Sequence, residues 1–124
     1  MTDRLLTIFA AFILMTGVAA GAFGAHGLKR ILSADMLAIW QTAVLYQLVH
    51  GLGLLAIAAL WARFGSSLLA GAAWLMLAGV AVFCGSLYIL SLSGVRWLGA
   101  ITPLGGLAFI AAWAMLAVSA WRAS

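Results

Sequence analysis

The chain has 124 residues, of which 68% are hydrophobic and 6% charged, with a formal net charge of +4 and a mean hydropathy of +1.26. Water-soluble domains run near about 45–50% apolar and 25% charged, so a soluble enzyme is excluded and the bilayer is the expected solvent. Four crossings of roughly 20 residues each would use most of the chain, which leaves termini, connections and room for a single domain, 1–124.

The first apolar run covers about 5–25 and is interrupted by Thr7 and Thr16. A signal peptide is the competing reading, because Arg4 precedes an apolar core and Ala20-Gly21-Ala22 resembles a small-residue cleavage site. With Met1 present, the run is expected to remain as a crossing. The connection 26–41 is amphipathic: Leu28, Ile31, Leu32, Met36, Ile39 and Trp40 recur at helical spacing, with Lys29, Arg30, Ser33 and Gln41 largely opposite them. Ser33 fits the N-cap of a helix that enters at Ala34 and runs on into the second span, which would make that span unusually long.

The second, third and fourth runs cover about 42–61, 68–90 and 97–121. Their length and lack of alternation indicate helices, which alone among open structures satisfy their own backbone in lipid. Trp40, Trp61, Trp97 and Trp121 fall at the expected ends, where indole prefers the interface. Short linkers at 62–67 and 91–96 make neighbouring spans antiparallel. The fold class is therefore all-α: a polytopic membrane protein with four transmembrane helices in an antiparallel bundle and a short amphipathic segment between the first two.

The basic residues lie one or two at a time between apolar runs, so they read as interfacial anchors and not as a nucleic-acid patch. Arg4, Arg63 and Arg122 fall on one side, and Lys29, Arg30 and Arg96 on the other. Such a balance gives the positive-inside rule nothing to act on and suggests weak or dual orientation. The lone Cys84 excludes an intrachain disulfide and a cysteine-based zinc site, and reads as a packing residue.

Gly17 and Gly21 form a GxxxG motif that Gly24 extends, a groove for close helix approach within the chain or between copies. Thr102-Pro103 followed by Gly105-Gly106 sits inside the fourth run and predicts a kink or unwound turn near 99–103.

The hydrogen-bonding residues of the spans are few: Thr42, Tyr46, Gln47, His50, Ser86, Tyr88 and Thr102, with His26 at the end of the first. Thr42, Tyr46 and His50 follow at i, i+4 and i+8, which predicts one inward polar stripe. Helical rise puts the cluster within roughly 10 Å of the face bearing His26, with His50 roughly 12 Å deep. One reading is a polar pocket floored by His50; the other is an interhelical network that fixes packing. The depth difference between the histidines argues against a shared haem, and the spans carry no carboxylate for a zinc or di-iron site, so no metal or cofactor is expected.

Gly21-Ala22-Phe23-Gly24-Ala25-His26-Gly27-Leu28, the segment from Trp40 through Gln47-Leu48-Val49-His50 to Gly53, Gly85-Ser86-Leu87-Tyr88 and Thr102-Pro103-Leu104-Gly105-Gly106 with Trp113 resemble a small bacterial membrane family. That family is filed as domain of unknown function four-two-three, of the YgdD/YwdK type. The resemblance covers nearly the whole chain and implies a four-span inner-membrane protein, with His26, Trp40, Thr42, Tyr46, Gln47, His50, Ser86, Tyr88, Thr102 and Pro103 as family features. It implies no activity.

Two functions follow as expectations. One is a non-enzymatic assembly or accessory subunit, in contact with lipids and joined to copies of itself or to a larger membrane complex through the glycine groove. The other is small-molecule or lipid-headgroup binding or transport beside His50. An enzyme is disfavoured because the spans hold no paired acid and base, activated nucleophile or metal constellation.

Overall fold

A computed structural model describes residues 2–123. Four apolar helical segments of crossing length run Asp3–Arg30, Ala34–Phe64, Ser67–Ser93 and Arg96–Arg122. Helix α1 is Asp3–His26, begun by the Thr2 hydroxyl accepting from the Leu5 N–H, with Asp3 in the first turn where the helix dipole favours it. A single 3-10 turn, Leu28–Arg30, reverses the chain. The amphipathic segment is thus one turn that buries Leu28 and exposes Lys29 and Arg30, a short non-helical link through Ser33, and helix from Ala34 onward.

Helix α2, Ala34–Phe64, has 31 residues, and the Ser33 hydroxyl accepts from the Met36 N–H as its N-cap. At 1.5 Å per residue it is about 46 Å long and exceeds the hydrocarbon layer. Helix α3, Ser67–Gly79, is capped in the same way by Ser66. A five-residue π-helical turn, Val80–Cys84, joins it to α4, Gly85–Ser93, and these three pieces form the third crossing. Gly94 ends α4 with φ 74°, a left-handed position that glycine takes without a Cβ clash.

The fourth crossing opens with a 3-10 turn, Arg96–Ala100, and continues as α5, Thr102–Arg122. Pro103 sits in the first turn of α5, where its missing N–H costs nothing. The expected irregularity is present, but as the start of a helix and not as a kink within one.

Helices α2 and α3 occupy the centre, and α1 and α5 flank them. The main core joins Leu6, Ala10, Leu54, Ile57, Leu69, Ala72, Met76 and Ala112 from all four crossings. A second cluster holds Ala43, Cys84, Leu87 and Phe109. Cys84 is buried there as a packing residue. Exposed Leu5, Ile8, Phe12, Met15, Leu104, Leu107 and Ile110 form the outer faces of α1 and α5.

The glycine groove of α1 is filled from within the chain. A Cβ on Gly17 would stand 2.8 Å from Leu48, one on Gly21 3.2 Å from Val44, and one on Gly24 2.7 Å from the Trp40 ring. All three partners lie on α2, so this stripe is covered and is not an outward association surface.

Candidate functional site

The polar side chains form three separate arrangements and not one pocket. The largest joins three crossings around Gln47. Its Nε2 donates to the Ile13 carbonyl and to Thr16 Oγ1, each at 2.9 Å, while its Oε1 accepts from the Tyr88 hydroxyl at 2.6 Å. One carboxamide therefore ties α1, α2 and α4 together. In the sequence Thr16 only interrupts the first run; its place beside Gly17 in a close-packed glycine stripe is the signal that it faces protein.

Trp40 lies beside this network. It is buried, its Nε1 donates to the Ala20 carbonyl at 2.9 Å, and its ring meets Tyr88 edge-on at 4.6 Å. Its indole is thus turned toward α1 and α4 and not toward lipid. Helix α2 starts at Ala34, so Trp40 is nearly two turns inside it and faces α1. Trp97 and Trp121, at 66% and 87% exposed, do sit outward at span ends.

In the second arrangement the Ser86 and Thr102 hydroxyls meet at 2.7 Å, pinning α4 to the start of α5. Each hydroxyl also has a carbonyl of its own segment within reach, Phe83 for Ser86 at 3.0 Å and Leu98 for Thr102 at 3.4 Å, so one of the pair donates across the helices and the other donates to its own carbonyl. Gly105 makes this approach possible, because the Phe83 backbone, in the π-turn, lies where a Cβ on Gly105 would have to go. Gly106 stands farther off, against the edge of the Phe83 ring.

The third arrangement is centred on His50. The residue is 5% exposed, and its ring stacks on Phe109 at 3.5 Å between centroids and 12° between planes. Tyr46, Phe83 and Trp113 complete an aromatic cluster around it. His50 Nδ1 lies 2.8 Å from the Tyr46 carbonyl. A carbonyl only accepts, so Nδ1 carries the proton, and Nε2 of the neutral ring is left with its lone pair.

The expected Thr42, Tyr46, His50 stripe does not turn inward as a unit. Thr42 is exposed and bonds its own helix at the Ala38 carbonyl, and Tyr46 is 38% exposed. Positions four apart drift about 40° per step, so the stripe slides roughly 80° around the helix from Thr42 to His50. The face that is buried runs Trp40, Ala43, Gln47, His50, Leu54, Ile57, at alternating steps of three and four. His26 is exposed at the end of α1, apart from His50.

His50 also lies deeper than its place in the second run suggested. The midpoints of the third and fourth crossings are Val80 and Phe109, and the α1 midpoint is at Leu14 and Met15. Phe109 stacks on His50, Gly79 faces Phe109, and Leu14 faces Gly51. His50 is therefore at mid-membrane height, because α2 begins two turns before the second apolar run.

Beside it a lateral groove of about 280 Å³ opens between Leu45, Tyr46, Val49 and His50. Among the described residues no group of three or more His, Cys, Asp or Glu side chains is placed to hold a metal ion.

Four antiparallel apolar crossings, joined by hydrogen bonds through their interior, define a small polytopic helical membrane protein. A family model described as Protein of unknown function (DUF423) matches residues 20–106. The chain is similar to a UPF0382 membrane protein of Staphylococcus haemolyticus, 48% identical over 96% of this chain and 97% of the relative. It is 44% identical to a counterpart from Staphylococcus saprophyticus, over 96% of this chain and 98% of that one. UPF0382 membrane protein YwdK of Bacillus subtilis is 45% identical over 94% of this chain and 96% of its own length. The chain belongs to this family of uncharacterised membrane proteins. No solved structure matches it.

Proposed function

We propose that the chain is a non-enzymatic, multi-pass protein of the bacterial inner membrane that serves as an assembly or accessory subunit. The observation that carries this reading is how the interior polar groups are used. Gln47, Thr16, Tyr88, Ser86, Thr102 and Trp40 are engaged in bonds between crossings. Side chains spent on one another hold a shape and offer no convergent acid, base or nucleophile. The bacterial origin of the relatives, all named membrane proteins, supports the location.

The glycine groove is covered, so contact with a partner falls to the outer faces of α1 and α5. A photoreactive residue at Phe12 or Ile110, introduced in cells, tests this. A single recurrent protein adduct from either position, absent from buried Leu6, is the expected result; adducts to lipid alone would overturn it.

A second reading, small-molecule binding beside His50, is favoured by one specific observation: its Nε2 makes no hydrogen bond among the described residues and lies beside a groove open to the bilayer. Mid-membrane depth disfavours a charged lipid headgroup there.

A further inference from the structure

We propose that the groove at Leu45, Tyr46, Val49 and His50 is a lateral binding site for an uncharged amphiphile with a ring-borne hydroxyl, of the long-chain phenol or hydroquinone class. This rests on the second reading above and adds the chemical class of the occupant.

Three observations carry it. The first is the fixed direction of the hydrogen bond. His50 Nδ1 is committed to the Tyr46 carbonyl at 2.8 Å, so Nε2 is an acceptor and the occupant must bring an O–H or N–H. Among the described residues no buried side-chain nitrogen or oxygen lacks a partner. Nε2, which has no partner, is therefore the part of this 5%-exposed residue that keeps an opening, and the opening is the groove.

The second is depth. His50 stacks on Phe109, the midpoint of the fourth crossing, and so lies in the middle of the hydrocarbon. A charged or sugar-bearing headgroup does not reach that depth without a large desolvation cost. An unpaired acceptor there is costly to leave bare, so a neutral donor is the complementary group.

The third is the shape of the walls. Of the four residues that line the groove, Tyr46 and His50 are aromatic and lie nearly parallel, at 11° between planes and 5.8 Å between centroids, with Phe83 and Trp113 packed behind them. Flat aromatic walls favour a flat ring, and Leu45 and Val49 at the opening favour an apolar tail. The Tyr46 hydroxyl has no partner among the described residues, and Tyr46 lines the same groove, so it offers the same occupant a donor. A ring hydroxyl can use both.

The test is nitrogen NMR of histidine-labelled protein in lipid nanodiscs, titrated with a decyl-substituted hydroquinone and, separately, with its dimethyl ether. The chain has 2 histidines, and a His26→Gln variant assigns them. The expected result is a saturable shift of His50 Nε2 toward the protonated type with the hydroquinone, none with the ether, and a stationary His26. Tyr46→Phe keeps the ring and weakens binding roughly fivefold.

An equal shift with the ether overturns the donor chemistry while leaving a small-molecule groove in place. No saturable effect from either compound overturns both. A resonance already shifted before addition, and unmoved by it, means that another group such as a second copy holds Nε2, and this also overturns the proposal.

Discussion

The Tyr88 hydroxyl donates to Gln47 Oε1 across 2.6 Å, and the opposite end of the same carboxamide donates to Thr16 and Ile13 on α1. A side chain with both ends committed to different helices sets the spacing of three crossings at once. Hydrogen bonds between membrane helices are worth about 0.6–2 kcal/mol each, because the unfolded chain in lipid also finds partners. Tyr88→Phe should therefore cost about 1 kcal/mol in reversible unfolding from mixed micelles. In a double-mutant cycle with Gln47→Leu the two losses should fall well short of additive; full additivity would mean that the bond does not couple the helices.

The glycines of α1 should separate sharply from Gly85. Gly24→Leu forces a side chain against the Trp40 indole and should destabilise by about 1–3 kcal/mol. Nothing stands within 4 Å of a Cβ at Gly85. Gly85→Ala should leave stability unchanged or raise it by up to about 1 kcal/mol. Thermal unfolding of the two variants in one detergent compares them directly.

Single-tryptophan variants offer an independent check on burial. Brominated lipid should quench a chain that retains only Trp121 and leave one that retains only Trp40 bright, given exposures of 87% and 7%. Equal quenching would place Trp40 on the lipid side and detach it from the Ala20 carbonyl.

Pro103 is in the first turn of α5, so Pro103→Ala should change stability by less than about 1 kcal/mol. A proline kink inside a helix would behave differently, since removing an interior proline restores a hydrogen bond and a turn. Unfolding free energy together with helical circular dichroism distinguishes the two.

Arg4, Arg63 and Arg122 at one end face Lys29, Arg30 and Arg96 at the other. Reporters fused at the C-terminus should report both sides of the membrane, and Lys29→Gln with Arg30→Gln should bias the termini toward the inside. A one-sided signal from the unaltered chain would show that something other than loop charge sets orientation.

The crossings were legible because run length alone decides them, and the Ser33 cap fixed the start of α2 at the level of single residues. The inward face of α2 was harder to read. Spacing by four picked Thr42 and Tyr46, whereas packing follows alternating threes and fours through Trp40, Ala43, Gln47 and His50. His50 belongs to both series, and so it was placed on the right face for an incomplete reason. The π-turn at Val80–Cys84 leaves no trace in an apolar run, since Val-Ala-Val-Phe-Cys carries no glycine, proline or charge to mark it. The candidate site was split for a related cause: polar residues shared a leaflet in the linear count, but helix phase sends them to three different neighbours.

The hairpin of α1 and α2 already contains Gln47 with its α1 partners, Trp40 with Ala20, and all three contacts of the glycine stripe. Everything needed to close it has been synthesised by Phe64, before the third crossing begins. The hairpin does not use the carbonyl end of that carboxamide, and the partner of Gln47 Oε1, Tyr88, comes from the third crossing. The bond that ties the third crossing to the hairpin is thus made to a side chain whose other end the hairpin already holds.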